Sequence, residues 1–329
     1  MNRNTAFASA ALLAGLQLPT TAALAAEKAD SWPARPIRFI VPYPPGGTTD
    51  IVARGIGAKL GEKYGQQVVI DNRGGASTII GAELTAKAAP DGYTILLATA
   101  TTLSINPNVV EKLPYDTLRD FAPITQTVYV PFVIASHPSV PANSVSELLA
   151  LAKAKPGSIS YSTPGTASTN HLGGALLEYV TGVKLLHVPF KGSGPAAAAV
   201  VGGQVSFVIT GIATVLPFVK AGKIKVLAFA ADKRHPNFPD IPSTGEAGIK
   251  NYESGTWFSV VGRAGTARPI ITKLNKDIIA ALNSPDLKER LTNIGFDVRT
   301  QSPEEFAKFI KDDLALSAKV IKAAGIKLD

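Results

Sequence analysis

The sequence predicts an α/β protein of two similar halves facing each other across a cleft. Three observations carry this. Strand-like apolar runs alternate with helix-like segments between residues 37 and 230, the rhythm of parallel βαβ units with right-handed crossovers. The rhythm breaks at a long extended run over 124–135 and then restarts, and a second extended run at 256–261 is followed by long helices. The 329 residues are too many for one average domain and comfortable for two.

Each element has its own local reason. Ile37 to Pro42 reads as a strand that runs into the turn "VPYPPGGTTD" (Val41 to Asp50), after which Asp50 to Tyr64 has helical period. Gln67 to Asp71 is a strand, Ile79 to Ala88 a helix and Thr94 to Ala98 a strand. In the run from Ile124 to Ala135, Pro131 marks an edge or a crossing segment, because proline donates no ladder hydrogen bond. The alternation resumes with helix Ser144–Ala154, strand Ser158–Ser162, helix Asn170–Thr181 and strand Lys184–Pro189. Helix Pro195–Val201, strand Val205–Thr210, helix Thr214–Ala221 and strand Lys225–Ala230 complete it. After the Pro-rich stretch "HPNFPDIPSTGEAG", Thr256 to Val261 is extended, and helices follow at Ile270–Leu282, Pro285–Ile294 and Pro303–Ala324. With the two extended runs as crossings, the C-terminal helices return to the first half. The expected division is 26–126 plus 256–329 against 127–255, a geometry suited to hinge closure.

Residues 1–25 read as a cleaved targeting signal. Arg3 supplies the positive start, Ala6 to Leu18 a short apolar run, and Ala23-Leu24-Ala25 the small residues of a cleavage site. The apolar run is too short for a span of ~20 residues. The chain has no cysteine, which excludes disulfides, thiol catalysis, Cys-bound metals and a lipoprotein anchor. Export without disulfides points to a bacterial periplasm. Without residues 1–25 the chain carries 32 basic and 25 acidic residues, net +7. These charges are dispersed, with no basic run or interleaved aromatics, so nucleic acid is not an expected partner. Attraction of small anions remains open.

Enzyme motifs fail one by one. His137, His171, His187 and His235 are scattered, without metal-type spacing, and read as surface or capping histidines. There is no G-x-S-x-G elbow and no Walker A. "KGSGPAA" imitates a dinucleotide turn, but no Asp or Glu occurs between Glu178 and Asp232 to bind a ribose. Glu304-Glu305 and Asp312-Asp313 read as solvated helix faces. No catalytic residue, cofactor or metal is expected.

Five polar, small-residue turns remain at the C-terminal ends of strands, where ligands bind in open α/β sheets. They are "PPGGTTD", "NRGGAST" (Asn72 to Thr78), "ATATT" (Ala98 to Thr102), "STPGTASTNHLGG" (Ser162 to Gly174) and "TGIAT" (Thr210 to Thr214). Glycine lets the backbone approach a ligand, and free N–H groups at a helix start carry roughly half a positive charge. A carboxylate is a natural guest. For any single turn, plain N-capping by Thr48, Thr49, Ser168 or Thr169 competes. Five turns facing one cleft favour a site. They put Ser77, Thr101 and Thr210 among the candidates.

"WPARPIRFIVPYPPGGTTD", "KAAPDGYTILLAT", "YSTPGTASTNHL", "VPFKGSGPA", "GGQV", "FPDIPS…EAG" and "RAGTARPIITKLN" occur in that order. With them the chain resembles the tripartite tricarboxylate transporter substrate-binding proteins, the TctC or Bug receptors, over essentially all of its length past the signal. The resemblance implies a two-domain periplasmic-binding-protein (Venus-flytrap) fold, a small organic acid as ligand, and membrane transporter subunits as partners. It implies that the first-strand turn grips a carboxylate through backbone N–H groups and ordered water. Here that turn is Tyr43 to Asp50, with Gly47, Thr48 and Thr49 as donors and Pro44, Pro45, Gly46 and Asp50 shaping it. The second-domain loop corresponds to Thr163 to Asn170, with Gly165 shaping it and Thr166, Ala167 and Ser168 at the helix start. Tyr43 and Phe190 offer an apolar wall. The family often reads "GGQVD…D", whereas this chain has Ser206 and Thr210 at those places, and "NRGGA" lacks the Pro usual after the Arg. A missing acid disfavours an amino-acid ligand, whose ammonium would need it. The expected ligand is a dicarboxylate or aromatic carboxylate such as terephthalate, bound by a monomer that closes on it. The competing functional class is a sensory protein that presents the same liganded fold to a receptor kinase.

Overall fold

The computed structural model describes residues 31–324; the expected signal, residues 1–25, lies outside them. Strand β1 (Ile37–Val41) forms because its apolar residues can be buried almost completely, and it pairs in parallel with β2 (Val68–Asn72) and β3 (Thr94–Thr99). Helix α1 (Thr48–Tyr64) covers them, placing Val52, Ile56 and Leu60 on the same core as Ile37, Phe39 and Val41. It stops at Gly65, whose left-handed φ of 61° terminates the helix without a Cβ penalty. Helix α2 (Ile79–Ala86) links β2 to β3.

After β3 the chain takes a π-helical turn, Thr101–Ile105, then the short helices α3 (Asn106–Val109) and α4 (Thr117–Asp120). None of these is expected from the sequence, because each is shorter than the window in which periodicity shows. Strand β4 (Phe121–Ser136) then does two jobs. Through Pro131 it pairs antiparallel with β9 (Gly255–Arg263), which itself pairs antiparallel with β3. From Phe132 it pairs with β7 (Phe207–Gly211) and β8 (Lys225–Phe229) in the second half. Pro131 therefore sits where the strand changes partners, a place that lacks no ladder donor. The expected boundary at 126/127 falls inside the first of these ladders. Gly255 begins the return crossing, and a Cβ there would collide with the Tyr129 ring.

In the second half α5 (Val145–Ala154) precedes β5 (Ser160–Thr163), α6 (Thr169–Thr181) precedes β6 (Leu186–Pro189), and α7 (Ser193–Val201) precedes β7. Strand β5 lies between β6 and β7, parallel to both. Helix α8 (Ile212–Lys220) connects to β8. Helices α9 (Arg268–Leu282) and α10 (Pro285–Asn293) put Ile271, Leu274, Ile278, Leu287 and Leu291 into the first core. The two-residue strand β10 (Asp297–Val298) pairs with β4, and α11 (Pro303–Ala324) packs Phe306 and Ile310 against Leu96 and Trp257. Each half thus has its own core, and two strands cross between them.

Candidate ligand-binding cleft

The first wall of the cleft is the turn from β1 into α1. Gly46 takes a left-handed φ of 85°, and its N–H donates to Asp50 Oδ2 at 3.1 Å. Arg54 Nε donates to the same oxygen at 2.8 Å, while Asn72 Nδ2 reaches both Asp50 Oδ1 (3.0 Å) and Tyr43 O (3.1 Å). Burial opposes ionisation of Asp50, yet the bonds from Arg54, Gly46 and Asn72 hold its carboxyl below the usual range. The carboxylate is engaged inside the turn and does not face a ligand. Helix α1 starts at Gly47 with no side-chain cap. The N–H groups of Gly47, Thr48 and Thr49 find no acceptor among the described residues and open on the cleft.

Three helix starts from the other half face them. At α6, Ser168 Oγ accepts from His171 N, leaving Asn170 N–H free, while Thr169 N–H reaches Thr101 Oγ1 at 3.4 Å. At α7 the start is Gly192 to Pro195, without a side-chain cap. Helix α8 begins at Gly211, also uncapped, next to Thr210. All four starts line one chamber between the halves. Its remaining walls include Thr99, Thr256, Phe132 and Phe258. No charged side chain lines it, so its positive potential comes from the oriented N–H groups of the helix ends. Burial pushes the Tyr43 phenol up, against bonds with Thr99 and Thr101 that draw it down, so the ring lines the chamber as a neutral hydroxyl.

The halves touch across the cleft. Ser77 Oγ donates to Thr166 O at 3.0 Å. A Cβ added to Gly192, whose φ is 123°, would lie 3.1 Å from Pro44 Cδ. Ala167 packs with Ile105 and Ile321 in a small apolar cluster that draws on both halves. The loop bearing Ser77 is itself unusual: Ala76, Ser77 and Thr78 all have left-handed φ of 44–79°. Each such residue costs roughly 1–3 kcal/mol. Asn106 holds the loop by donating to Ser77 O (2.7 Å) and Thr78 Oγ1 (3.2 Å).

Of the residues expected from sequence, Tyr43, Pro44, Gly47, Thr48, Thr49 and Thr210 line the chamber. Ser77, Gly165, Thr166 and Phe190 line a second hollow beside it. Four others face inward. Thr163 Oγ1 is bonded to Gly165 O and His187 Nε2, and Thr101 receives Thr169 N–H. Ala167 donates its N–H to His171 Nδ1, and Ser168 caps α6. Pro45 and Gly46 are exposed and shape the turn. Ser206 is a correction: it is bonded to Ser160 at the far end of β7, so it says nothing about the ligand. Thr210, at the other end, lines the chamber. Gly192 to Pro195 form a wall that the dinucleotide reading of "KGSGPAA" does not anticipate, although its position after a strand is the same signal that marks "PPGGTTD". His171 and His187, expected to be separate, stack at 3.9 Å behind the Thr163–Ser168 loop.

Two α/β halves joined by crossing strands, and closed over a chamber of helix starts, define a solute-binding protein of the Venus-flytrap class. Residues 52–326 match the family described as tripartite tricarboxylate transporter family receptor. Protein BugT of Bordetella pertussis is 35% identical over 315 residues, 95% of this chain and 97% of BugT. The structure of Rhodopseudomonas palustris Rpa4515 with adipate has a TM-score of 0.87 at 36% identity, covering 90% of this chain and 99% of that one. MatC from the same organism, with bound malate, has a TM-score of 0.82 at 31% identity, covering 88% and 100%. The chain belongs to the tripartite tricarboxylate transporter receptor family, a family of binding proteins and not of enzymes.

Proposed function

We propose that this receptor works in the periplasm, captures a small dicarboxylate by closing its two halves, and hands it to a membrane transporter. One observation carries the reading: four helix starts converge on a chamber without a charged side chain. Such a chamber prefers a carboxylate to a neutral solute or a cation. It offers no acid to an ammonium group, which disfavours amino acids. The diacids in the two Rhodopseudomonas palustris structures belong to the same chemical class. Phe132, Phe258 and Tyr43 offer flat apolar walls to an aromatic diacid such as terephthalate. Closure creates the shape that a transporter reads, since a ligand held by both halves shifts the population toward the closed form.

A thermal-shift screen against adipate, malate, citrate, terephthalate, benzoate and glutamate tests this. A ligand at 100 times its Kd adds about 2.7 kcal/mol, a shift of about 4 °C. A diacid should give the largest shift and glutamate none. No shift with any acid, and no acid released when the protein is denatured, would sink the proposal.

A further inference from the structure

The chamber does not end the cleft. Tyr43, Pro44 and Pro164 line both the chamber and a neighbouring hollow of about 430 Å³, open to solvent. The hollow lies between the loop Gly75–Ile79 of the first half and Pro189–Lys191 of the second. Its wall is largely apolar, with Pro42, Ile79, Val110, Pro189 and Phe190. Lys191 is the one charged residue lining either space. It is exposed, and no ion pair among the described residues engages it. Its backbone is fixed on both sides: Phe190 N–H donates to Thr163 O at 2.9 Å, and Gly192 N–H to Pro164 O at 3.0 Å. Gly192, the next residue, already forms the chamber wall. A cation thus stands one residue beyond the neutral chamber, on a held loop, at the rim of a largely apolar neighbouring hollow.

We infer that Lys191 is a specificity-determining residue that reads the second carboxylate of an extended α,ω-diacid. The first carboxylate sits on the helix starts, the carbon chain passes between Tyr43, Pro44 and Pro164, and the distal carboxylate meets the Lys191 ammonium. The assignment rests on the carboxylate-clamp reading above. It adds a length rule: a chain that reaches the hollow gains from Lys191, and a shorter one does not. It also explains why the site does without a second charge inside, since the distal group stays in the open hollow, where its desolvation is small.

Isothermal titration of the wild type, Lys191→Met and Lys191→Glu is the test. The probes are succinate, adipate, suberate, hexanoate and 6-aminohexanoate. The wild type should favour adipate over hexanoate by roughly three- to fivefold, the most an exposed ion pair provides. In Lys191→Met that ratio should fall to within about twofold while hexanoate affinity stays unchanged. Lys191→Glu should bind 6-aminohexanoate in preference to adipate. An unchanged adipate-to-hexanoate ratio in Lys191→Met overturns the inference and leaves the clamp standing. If the wild type binds none of these acids, the clamp reading fails and takes the inference with it. Lys191 is exposed, so both variants should melt with the wild type; equal melts exclude loss of folding as the cause.

Discussion

Gly47→Val separates folding from binding more cleanly than any other change in the cleft. Gly47 has φ −89° and ψ 178°, an extended geometry open to any residue. It is buried, yet an added Cβ would find no atom within 4 Å. That empty space is the chamber. Valine at this helix start should cost about 1 kcal/mol of capping preference, a fall of about 2 °C in Tm. Binding should suffer far more, because the branched side chain occupies the place proposed for a carboxylate at the α1 N–H groups. Losing one charge-assisted hydrogen bond of ~1.5–3 kcal/mol raises Kd roughly ten- to a hundredfold. Gly46→Ala is the control. Gly46 is exposed with φ 85°, so alanine there is strained by about 1 kcal/mol or more while pointing at solvent. Its Kd for adipate should change less than about threefold. Calorimetry and thermal melts on both variants decide the matter. Wild-type affinity in Gly47→Val, or a collapse in its melting temperature, refutes the placement of Gly47 against the ligand.

Three further outcomes follow from the same geometry. Asp50→Asn removes the ionised acceptor of Gly46 N–H and Arg54 and should destabilise the fold by about 1–3 kcal/mol. Because the Asp50 carboxyl is depressed in the fold, its stabilisation is complete above about pH 4 and is lost as pH falls further; melts from pH 2 to 7 should show a shallower acid slope in the variant. Burial, and then the stacked His171, push His187 down to about 4. The folded state therefore resists a proton that the unfolded chain accepts near 6.5, and stability should erode as pH falls from 6.5 toward about 4. His187→Gln should flatten that window, and an identical pH profile would refute the assignment. Ser77→Ala deletes the bond to Thr166 O across the cleft and should speed ligand release about fivefold through a loss of about 1 kcal/mol of closed-state stability; stopped-flow displacement reads this directly.

Local pattern made most of the elements readable. The strand at Ile37, the helix ending at Tyr64 and the C-terminal helix Pro303–Ala324 all follow from periodicity and punctuation. Pro131 marked the crossing because a missing donor has few places to go. Orientation was less readable. Ser206 and Thr210 lie four residues apart near and on one strand, and only its pairing decides that one reaches the cleft and the other does not. The Thr163–Ser168 loop showed the right donors but not their partners. His171, His187 and Gly165 take up most of them, and those contacts depend on how β5, β6 and α6 meet. The three consecutive left-handed residues at Ala76–Thr78 carry no glycine signal, because a distant side chain, Asn106, holds them.

The proposed anion site, built without a buried charge, has a consequence for salt. An arginine inside the chamber would sit unpaired whenever the protein closed empty, and an isolated buried charge costs several kcal/mol. Helix N–H groups are partial charges fixed by backbone bonds, so closing over them carries no such penalty. They are also buried, and buried interactions are weakly screened. Lys191 is exposed, and at 0.5 M salt the screening length is only about 4–5 Å. The two ends of a diacid should therefore respond differently. Between 0.05 and 0.5 M NaCl, hexanoate affinity should change by less than about twofold, while the advantage of adipate over hexanoate should fall to within about twofold. If hexanoate binding collapses with salt as well, the chamber owes its affinity to long-range surface charge, and the helix starts are not what holds the carboxylate.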